Sequence, residues 1–189
     1  VVGPELPLTM GIVDEFEGRG LRIFGATRQA AILEGSKVFA KRLMKKYKIP
    51  TGFFQTFYRA EDAKRYIQDV GAPVVVKADG LAAGKGTVVV GDPAEARAVV
   101  EQIMGDKKFG SAGARVVMEE YLEGEEVSFL VFSDGSRVVP MATVQDHKRA
   151  LDGDKGPNTG GMGTVSPTTN ISLDTHKRIM QEIVVPTVA

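Results

Sequence analysis

Apolar residues recur at helical spacing in four stretches of the chain. The clearest stretch covers residues 36–47, where Ser36 can cap a helix and Pro50 stops it. Two more stretches place apolar residues at i, i+3, i+4 and i+7, one before Gly71 and one after Asp92 and Pro93, which suit the start of a helix. A fourth covers residues 174–185. The pattern therefore predicts four helices.

Short β-branched runs lie between and after these helices. Valine-rich runs predict three strands, at residues 74–77, 87–90 and 115–118. With two of the helices they predict a small sheet that is covered on one side. Residues 127–132 and 137–139 predict two more strands, because Asp134 and Gly135 between them suit a tight hairpin turn.

The remaining stretches predict less regular structure. Residues 152–163 contain five glycines and a proline, and this composition predicts no helix or strand. Residues 1–35 contain short βα-like pieces, including a buried strand that ends in residues 1–6 and a strand-like run at 21–24. Because neither end of the chain closes an element, we expect it to begin and end within a fold.

Composition narrows the class of protein without naming a partner. The chain has 189 residues, with 24 Lys plus Arg, 24 Asp plus Glu, and no cysteine. A net charge of zero gives no reason to expect nucleic acid or an anionic membrane as a partner. Lack of cysteine excludes disulfides, zinc–cysteine sites and thiol nucleophiles, which suits the cytoplasm. No apolar run approaches the roughly 20 residues that span a bilayer.

A glycine-rich loop follows the first predicted strand. Its sequence, KADGLAAGKG at residues 77–86, offers backbone amides and an ammonium group to phosphates, from Gly80, Gly84, Lys85 and Gly86. The P-loop pattern fails at Asp79 and Gly86, and a dinucleotide fingerprint fails at Val89. A flexible hairpin loop with a surface lysine remains equally compatible with this segment.

Two lysines stand where a cation is unfavourable unless it has a partner. Lys77 ends a strand that should be buried, and Lys37 lies in the first turn of a helix, where it opposes the helix dipole. Both positions favour an anionic ligand, although the side chain of Lys77 can also extend to the surface. We interpret Lys41 and Lys45, on the same helical stripe, as a solvated basic face.

Two charged segments are further candidates for ligand binding. Residues 118–129, MEEYLEGEEVSF, suit adenine and ribose recognition, although an acidic loop has the same composition. Residues 145–149, QDHKR, precede a glycine-rich loop, so a substrate with both an amine and a phosphate would find a carboxylate and cations there. A charged hairpin that leads into a flexible loop remains the alternative. His147 and His176 have no partner at metal-ligand or triad spacing.

Six segments in order resemble the phosphoribosylamine–glycine ligases, purine-biosynthesis enzymes of the ATP-grasp superfamily. They are VVGPELPL (1–8), LEGSKVFAK (33–41), VVVKADGLAAGKG (74–86), MEEYLEGEEVSF (118–129), QDHKR (145–149) and GPNTGGMG (156–163). The resemblance implies an α+β chain with α/β pieces at its N-terminus, forming part of an ATP-grasp fold with a small lid. It further implies three parts: residues 1–50 with the end of an N-terminal domain, a lid at 51–121, and an incomplete central sheet domain at 122–189.

The resemblance also implies the ligands. ATP would contact Lys37, Lys77, Gly80, Gly84, Lys85, Gly86, Glu119, Glu120, Tyr121, Leu122 and Glu126. Glycine and 5-phosphoribosylamine would contact Gly3, Pro4, Glu5, Asp146, Lys148, Arg149, Asn158, Thr159, Gly160, Gly161 and Met162. ATP would phosphorylate glycine, and the amine of phosphoribosylamine would attack the acyl phosphate, with Lys77, Lys148 and Arg149 as the catalytic cations.

The chain also departs from this pattern. In the family a Glu and an Asn that bind magnesium lie beyond the segments matched here, so we expect no metal ligands in these residues and no complete reaction from this chain alone. A non-catalytic nucleotide-binding module and an ATP-grasp ligase with another acceptor remain alternatives. We expect no nucleic-acid or membrane partner, and a monomer is slightly favoured.

Overall fold

A computed structural model describes residues 1–81, 86–106, 110–153 and 155–189, with the backbone alone at residues 111, 157 and 158. The chain divides into two units. The first unit contains Val1–Lys46 and Thr51–Leu122, and the second contains Tyr47–Pro50 and Glu123–Ala189.

The first unit begins with three short helices. These are α1 (Glu5–Met10), α2 (Ile12–Gly18) and α3 (Arg28–Gly35). Gly11 allows the sharp turn between α1 and α2 because its φ is +90°, and the Thr27 hydroxyl caps α3. The predicted strands at the N-terminus and at residues 21–24 are wrong. Val1 is 95% exposed, and one backbone hydrogen bond, from Val2 N to Phe24 O (3.0 Å), joins the two segments.

Helix α4 (Lys37–Tyr47) confirms the predicted helix. The Ser36 hydroxyl accepts a hydrogen bond from Phe39 N (3.1 Å), as expected of a cap. The helix ends before Lys48, whose φ of +57° is incompatible with a continued right-handed helix.

A four-stranded antiparallel sheet follows. Its strands are β1 (Phe54–Phe57), β2 (Val74–Ala78), β3 (Thr87–Val90) and β4 (Val116–Glu120), in the order β1-β4-β2-β3. Helix α5 (Ala60–Val70) and helix α6 (Pro93–Val100), which continues as a π-helical turn over Glu101–Gly105, confirm the other two predicted helices of this unit. The sequence prediction missed β1, an edge strand of four residues.

Strand alternation gives the sheet two chemically different faces. On one face, Val74, Val76 and Ala78 of β2 and Val116 and Met118 of β4 pack with α5 and α6 in a buried apolar core. Intervening residues point to the other face, where Lys77 of β2 lies diagonally across from Glu119 of β4. The sheet therefore holds a cation and a carboxylate together on the face away from its apolar core.

Asp79, just after β2, joins this sheet to the start of α4. Its carboxylate Oδ1 accepts hydrogen bonds from Val38 N (2.8 Å) and the Ser36 hydroxyl (2.9 Å), while its backbone carbonyl accepts from Lys37 N (3.0 Å). The other carboxylate oxygen pairs with the Arg115 guanidinium. Asp79 is 3% exposed, so it supplies a buried negative charge to the first turn of a helix.

The second unit is built from short strand pairs. Strand β5 (Val131–Ser133) pairs with β6 (Val138–Pro140), and the Asp134 carboxylate fixes the turn by accepting from Arg137 N (2.7 Å). The predicted hairpin is confirmed, but its first strand begins at Val131 rather than at residue 127. Ser128 makes only an isolated bridge with Val144.

Residues 145–165 fold back on themselves. Strand β7 (Gln145–Asp146) pairs with β10 (Thr164–Val165), and β8 (Arg149–Leu151) pairs with β9 (Lys155–Asn158). The prediction that residues 152–163 contain no regular structure is therefore wrong. Strand β9 contains a glycine and a proline, which are unfavourable in strands. It forms nevertheless, because backbone N–H and C=O groups can pair with β8 whatever the side chains are.

A helical segment ends the second unit. Helix α7 (Leu173–Arg178) begins at the Ser172 cap and continues through a π-helical stretch, Ile179–Val184, into α8 (Val185–Val188). This confirms the fourth predicted helix. Within the described ranges no helix combines the length and apolarity that crossing a bilayer requires.

The Asp79 contacts predict a large loss of stability when its side chain is removed. Asp79→Ala should lower the free energy of unfolding by about 3 kcal/mol, because it leaves the Arg115 charge, an α4 amide and a hydroxyl without their partner. Urea denaturation followed by circular dichroism measures this change. Asp69→Ala, at an exposed position on α5, is the matched control and should change stability by less than about 0.5 kcal/mol. A similar small effect at Asp79 would contradict the assigned role.

Candidate functional site

Two lysines share one carboxylate on the face of the first unit's sheet away from its apolar core. Glu119 Oε2 accepts a hydrogen bond from Lys77 Nζ at 2.9 Å and also lies 2.9 Å from Lys41 Nζ. The Glu119 side chain is 10% exposed and the Lys41 side chain 12%. Because one negative charge faces two positive charges in a poorly hydrated site, the group keeps an excess of positive charge.

Lys37 adds a third ammonium group. Its Nζ donates to the backbone oxygen of Gly80 (3.0 Å), at the start of the glycine-rich loop. Burial lowers the pKa of Lys37 below the ordinary lysine value of 10.5; the carboxylate of Glu34 opposes this effect, and the charge of Lys77 adds to it. The local environment therefore disfavours the Lys37 charge, as expected of a cation held ready for an anion.

These side chains line a cavity of about 170 Å³. Its lining consists of Leu33, Glu34, Lys37, Ala40, Lys41, Met44, Lys77 and Glu119. Three ammonium groups and two carboxylates meet next to apolar carbon atoms, a combination that suits a ligand with both an anionic and an apolar part. The volume is below the roughly 300 Å³ of a typical small-molecule site, so these residues would enclose only part of a nucleotide.

The interpretation of Lys41 as part of a solvated basic face is wrong. Besides Glu119, its ammonium group donates to the Thr51 hydroxyl (2.7 Å) and lies 5.7 Å from the centre of the Phe54 ring. All three partners lie outside α4, Thr51 and Phe54 shortly after it and Glu119 on β4, so the spacing of Lys37, Lys41 and Lys45 along one helix gave no signal for them. Lys45, one turn further, is exposed as predicted.

The segment after Glu119 presents backbone and side-chain groups at the surface. The Glu120 carboxylate accepts from Phe53 N (2.6 Å), and Glu120 N donates to Phe53 O (3.0 Å), so this end of β4 is fixed from both sides. Tyr121 and Leu122, predicted to meet adenine, are 42% and 66% exposed.

Both described ends of the glycine-rich loop are anchored. Gly86 O accepts from Ala78 N (2.8 Å), and Asp79 N donates to Ala112 O (3.0 Å). A side chain at Gly80 would place its Cβ 2.7 Å from that of Ala112, so glycine is required there by close approach. Gly84 and Lys85, also predicted to bind phosphate, lie outside the described residues.

The second unit brings the residues of the QDHKR segment together with Glu126. Lys148 Nζ donates to Glu126 Oε1 (2.6 Å) and lies 3.9 Å from Asp146 Oδ2. The hydrogen bond that Lys148 donates to the Glu126 carboxylate raises the pKa of Lys148 above the ordinary lysine value. Glu126, predicted to hold ribose, thus has Lys148 as its partner in this structure.

The loop at residues 159–163 is fixed against this segment. Thr159 N and its hydroxyl both donate to Lys148 O (2.7 and 2.9 Å), and Met162 N donates to His147 O (2.7 Å). Gly161 has a φ of +127°, and a side chain there would approach Asp146 Oδ1 to 3.0 Å. Arg149 donates to Gly156 O (2.8 Å) rather than extending into solvent.

A cavity of about 420 Å³ lies beside this loop. Its lining consists of Ser128, Leu130, Val144, Asp146, Gly160, Gly161, Gly163 and Thr164. Among the predicted substrate residues, Asp146, Gly160 and Gly161 line it, whereas Thr159 instead contacts Lys148 through its hydroxyl. The side chain of Asn158 is not described.

The remaining predicted substrate residues lie in the first unit. Gly3, Pro4 and Glu5 are exposed at the start of α1, where Glu5 occupies the first turn of the helix. In the residues that the structure describes, no group of three or more His, Asp or Glu side chains is placed to hold a metal ion.

Sequence reasoning missed two residues that form or position the lysine-lined cavity of the first unit, Lys41 and Asp79. Lys41 contributes a buried cation, and Asp79 sets the position of α4 and hence of Lys37. Asp79 carried one usable signal: it is an acidic residue between a buried strand and a glycine, where an unpaired charge is unfavourable.

Comparison with known proteins identifies the family. The model for the ATP-grasp (A) domain of phosphoribosylglycinamide synthetase matches residues 35–189, and the model for the N domain of the same protein matches residues 1–34. The chain belongs to the phosphoribosylglycinamide synthetase family. The ATP-grasp fold implied by the sequence is thus confirmed.

Individual members agree with this assignment. A phosphoribosylamine–glycine ligase from Neisseria meningitidis serogroup B is 57% identical over 189 residues, which are 100% of this chain and 45% of that relative. The crystal structure of a phosphoribosylamine–glycine ligase from Thermotoga maritima has a TM-score of 0.80 at 39% identity, over 87% of this chain and 42% of that chain. The chain therefore spans less than half the length of these members.

More distant structures share the fold alone. D-alanyl-alanine synthetase A from Vibrio cholerae has a TM-score of 0.71 at 16% identity, over 94% of this chain and 54% of that chain. This likeness concerns the fold and carries no information about the substrate of this chain.

The burial of Lys37 predicts its titration. In the folded protein its ammonium group should titrate below 10.5, since burial disfavours the charged form, and Glu34→Gln should lower the midpoint further by removing an opposing charge. Because the pKa of Lys37 is lower in the folded than in the unfolded state, its charge reduces the free energy of unfolding at any pH below the folded-state pKa. This loss of stability disappears as the pH rises through the pKa of the unfolded state. NMR of ¹³C-methylated lysines, with the signal assigned through Lys37→Arg, measures the midpoint. A midpoint at or above that of the urea-unfolded chain would contradict the prediction.

Proposed function

We propose that the protein containing this chain joins glycine to 5-phosphoribosylamine at the expense of ATP, giving glycinamide ribonucleotide, ADP and phosphate. This is the activity for which the relatives that match the whole chain at more than half identity are named. The reaction belongs to purine biosynthesis, which would place the protein in the cytoplasm with small molecules as its partners.

The observation that carries the proposal is the cavity lined by Lys37, Lys41 and Lys77, in which the buried carboxylate of Glu119 is the partner of the last two. A triphosphate supplies the negative charge that this group lacks. Lys37 and Lys77 would bind the phosphates, and the glycine-rich loop beginning at Gly80 and ending at Gly86 would cover them. The part assigned to Gly84 and Lys85 in this loop stays a prediction.

The base and ribose would lie toward the end of β4. The Glu119 carboxylate lines the cavity and would accept a hydrogen bond from the base, and the backbone of Glu120, Tyr121 and Leu122 would read its edge. Glu126 would hold the ribose. It would then exchange its present partner, Lys148, for the sugar hydroxyls, which leaves the Lys148 charge for the substrates.

The second unit would bind the acceptor. Asp146 would pair with an amine, and Lys148 and Arg149 with the phosphate or carboxylate groups, because paired charges of these types match a substrate with both an ammonium and a phosphate. The loop at residues 158–162 and the N-terminal Gly3, Pro4 and Glu5 would complete the binding of glycine and phosphoribosylamine.

The chemistry requires positioning and charge neutralisation more than proton transfer. A glycine carboxylate oxygen attacks the γ-phosphorus of ATP, which breaks the bond to ADP and forms an acyl phosphate. The amine then attacks the acyl carbon, forms the amide and releases phosphate. Lys77, Lys148 and Arg149 would neutralise the negative charge that accumulates on the transferring groups. Magnesium would screen the phosphates when bound, but the described residues offer no set of ligands for it, so no step is assigned to it.

The activity is tested by omission of substrates. We expect the full-length gene product, supplied with ATP, magnesium, glycine and fresh phosphoribosylamine, to release ADP only when both glycine and phosphoribosylamine are present. A coupled assay for ADP measures this, with a known ligase as positive control. ADP release that ignores either substrate would indicate another acceptor, and no release beside an active control would indicate a non-catalytic nucleotide-binding protein.

Lys77 provides a test of the nucleotide site alone. Lys77→Ala should weaken ATP binding by about 1.5 to 3 kcal/mol, because it removes a charge-assisted hydrogen bond to phosphate. Isothermal titration calorimetry measures the affinity, and Lys45→Ala, an exposed lysine of α4, should change it by less than about 0.5 kcal/mol. Unchanged affinity in Lys77→Ala would mean that this ammonium group serves Glu119 only.

A further inference from the structure

Lys41 is a largely buried cation for which the proposed reaction assigns no contact with ATP or substrate. Its ammonium group lies 2.9 Å from Glu119 Oε2, donates to the Thr51 hydroxyl at 2.7 Å, and faces the Phe54 ring at 5.7 Å. A lysine with few hydrogen-bond partners would extend its ammonium group to solvent. The ammonium group of Lys41 is instead held by a carboxylate, a hydroxyl and an aromatic ring. Such an arrangement fixes the carboxylate as firmly as it fixes the lysine.

The carboxylate of Glu119 has a second cation at present, but that cation is required elsewhere. Lys77 also lies 2.9 Å from Glu119 Oε2. In the proposed function Lys77 binds phosphate, and one ammonium group that turns toward a phosphate gives up part of its interaction with Glu119. Lys41 is then the remaining counter-ion of a carboxylate that is almost completely buried.

The second oxygen of Glu119 is available to a ligand. In the described part of the chain no hydrogen-bond donor contacts Oε1, while Glu119 itself lines the cavity that also contains the apolar side chains of Leu33, Ala40 and Met44. An ionised carboxylate is an acceptor only. It therefore favours a base with an amino group at this edge and disfavours a base with a carbonyl oxygen there.

We infer that Lys41 is a positioning residue for base selection: it holds the Glu119 carboxylate in a fixed orientation, so that the site prefers a 6-amino purine to a 6-oxo purine. The inference rests on the proposed nucleotide-binding function and adds to it a residue that acts on the base through Glu119 without touching the nucleotide. Lys41 also donates to the Thr51 hydroxyl, in the segment just before β1, and so links the carboxylate to that segment.

The physical reason is the behaviour of a carboxylate that loses one of its two cations. Without Lys41, the Glu119 carboxylate would be held by Lys77 alone, and Lys77 would also bind phosphate, so the Glu119 side chain could rotate away from the base. The acceptor that favours an amino group over an oxo group would then no longer be fixed at the edge of the base. Removal of Lys41 should thus reduce discrimination between the two bases more than it reduces nucleotide binding itself.

The test compares ATP with inosine triphosphate, which carries oxygen in place of the 6-amino group. Affinities of the full-length gene product for both nucleotides are measured by calorimetry in Lys41→Met, Lys41→Gln and Lys41→Arg, with Lys45→Met as the matched control on the same helix. We expect the unmodified protein to prefer ATP at least about tenfold, the value of one charge-assisted hydrogen bond. Lys41→Met and Lys41→Gln should abolish most of this preference, while Lys41→Arg and Lys45→Met should keep it.

The outcomes separate this inference from the proposed function. If the unmodified protein binds neither nucleotide, the proposed function fails. If it binds ATP with no preference over inosine triphosphate, or if Lys41→Met and Lys41→Gln retain its preference, the inference is overturned while ATP binding stands. If these variants lose affinity for ATP and for inosine triphosphate by the same factor, Lys41 has a structural role only and the inference is overturned. Lys41→Gln retains a donor for Thr51 and thus provides the ratio if Lys41→Met does not fold.

Discussion

The buried carboxylate of Asp79 is the interaction on which the rest of the first unit depends. It accepts hydrogen bonds from a first-turn amide of α4 and from the Ser36 hydroxyl, and it forms an ion pair with the Arg115 guanidinium. The backbone carbonyl of Asp79 accepts a further hydrogen bond from Lys37 N. A negative charge at a helix N-terminus is favourable, and a buried charge without partners is not. This one residue therefore fixes the start of α4 at the end of β2, which sets where the side chains of α4 meet the sheet.

The lysine cluster follows from that attachment and from the two-residue period of the strands. Alternation on β2 and β4 places Lys77 and Glu119 on the face away from the apolar core, and α4 brings Lys37 and Lys41 to the same place. The cluster contains more positive than negative charge before any ligand is present. An anionic ligand would thus meet cations that are already positioned, which reduces the ordering that binding requires.

The sequence predicted the elements with strong periodicity and missed two strands, β1 and β9, for different reasons. Valine-rich strands, four helices and the nomination of Lys37 and Lys77 followed from local pattern and from the unfavourable placement of a charge. Strand β1 depends on pairing with β4 across more than 50 residues, whereas β9 pairs with its neighbour β8 but contains a glycine and a proline, which are rare in strands. Periodicity describes a residue's own element, so it carries no information about such pairing.

The same limit explains the wrong interpretation of Lys41. Lys37, Lys41 and Lys45 follow one another along α4 at intervals of four, yet only the last is exposed, because Glu119, Thr51 and Phe54 cover the middle of the stripe. For the candidate substrate residues of the second unit, the sequence named the residues but did not predict which of them contact one another. Lys148 and Glu126, 22 positions apart, were assigned to different ligands and are hydrogen-bonded to each other in the structure.

The central claim, that the lysine cluster of the first unit is the nucleotide site, is tested most directly by lysine footprinting with and without ATP. The full-length gene product is acetylated briefly under both conditions, and the modified lysines are quantified by mass spectrometry. We predict that ATP slows the modification of Lys37 and Lys77 severalfold and leaves the modification of exposed Lys45 unchanged. Equal modification of Lys37 and Lys77 under both conditions, at an ATP concentration shown by calorimetry to saturate the protein, would contradict it.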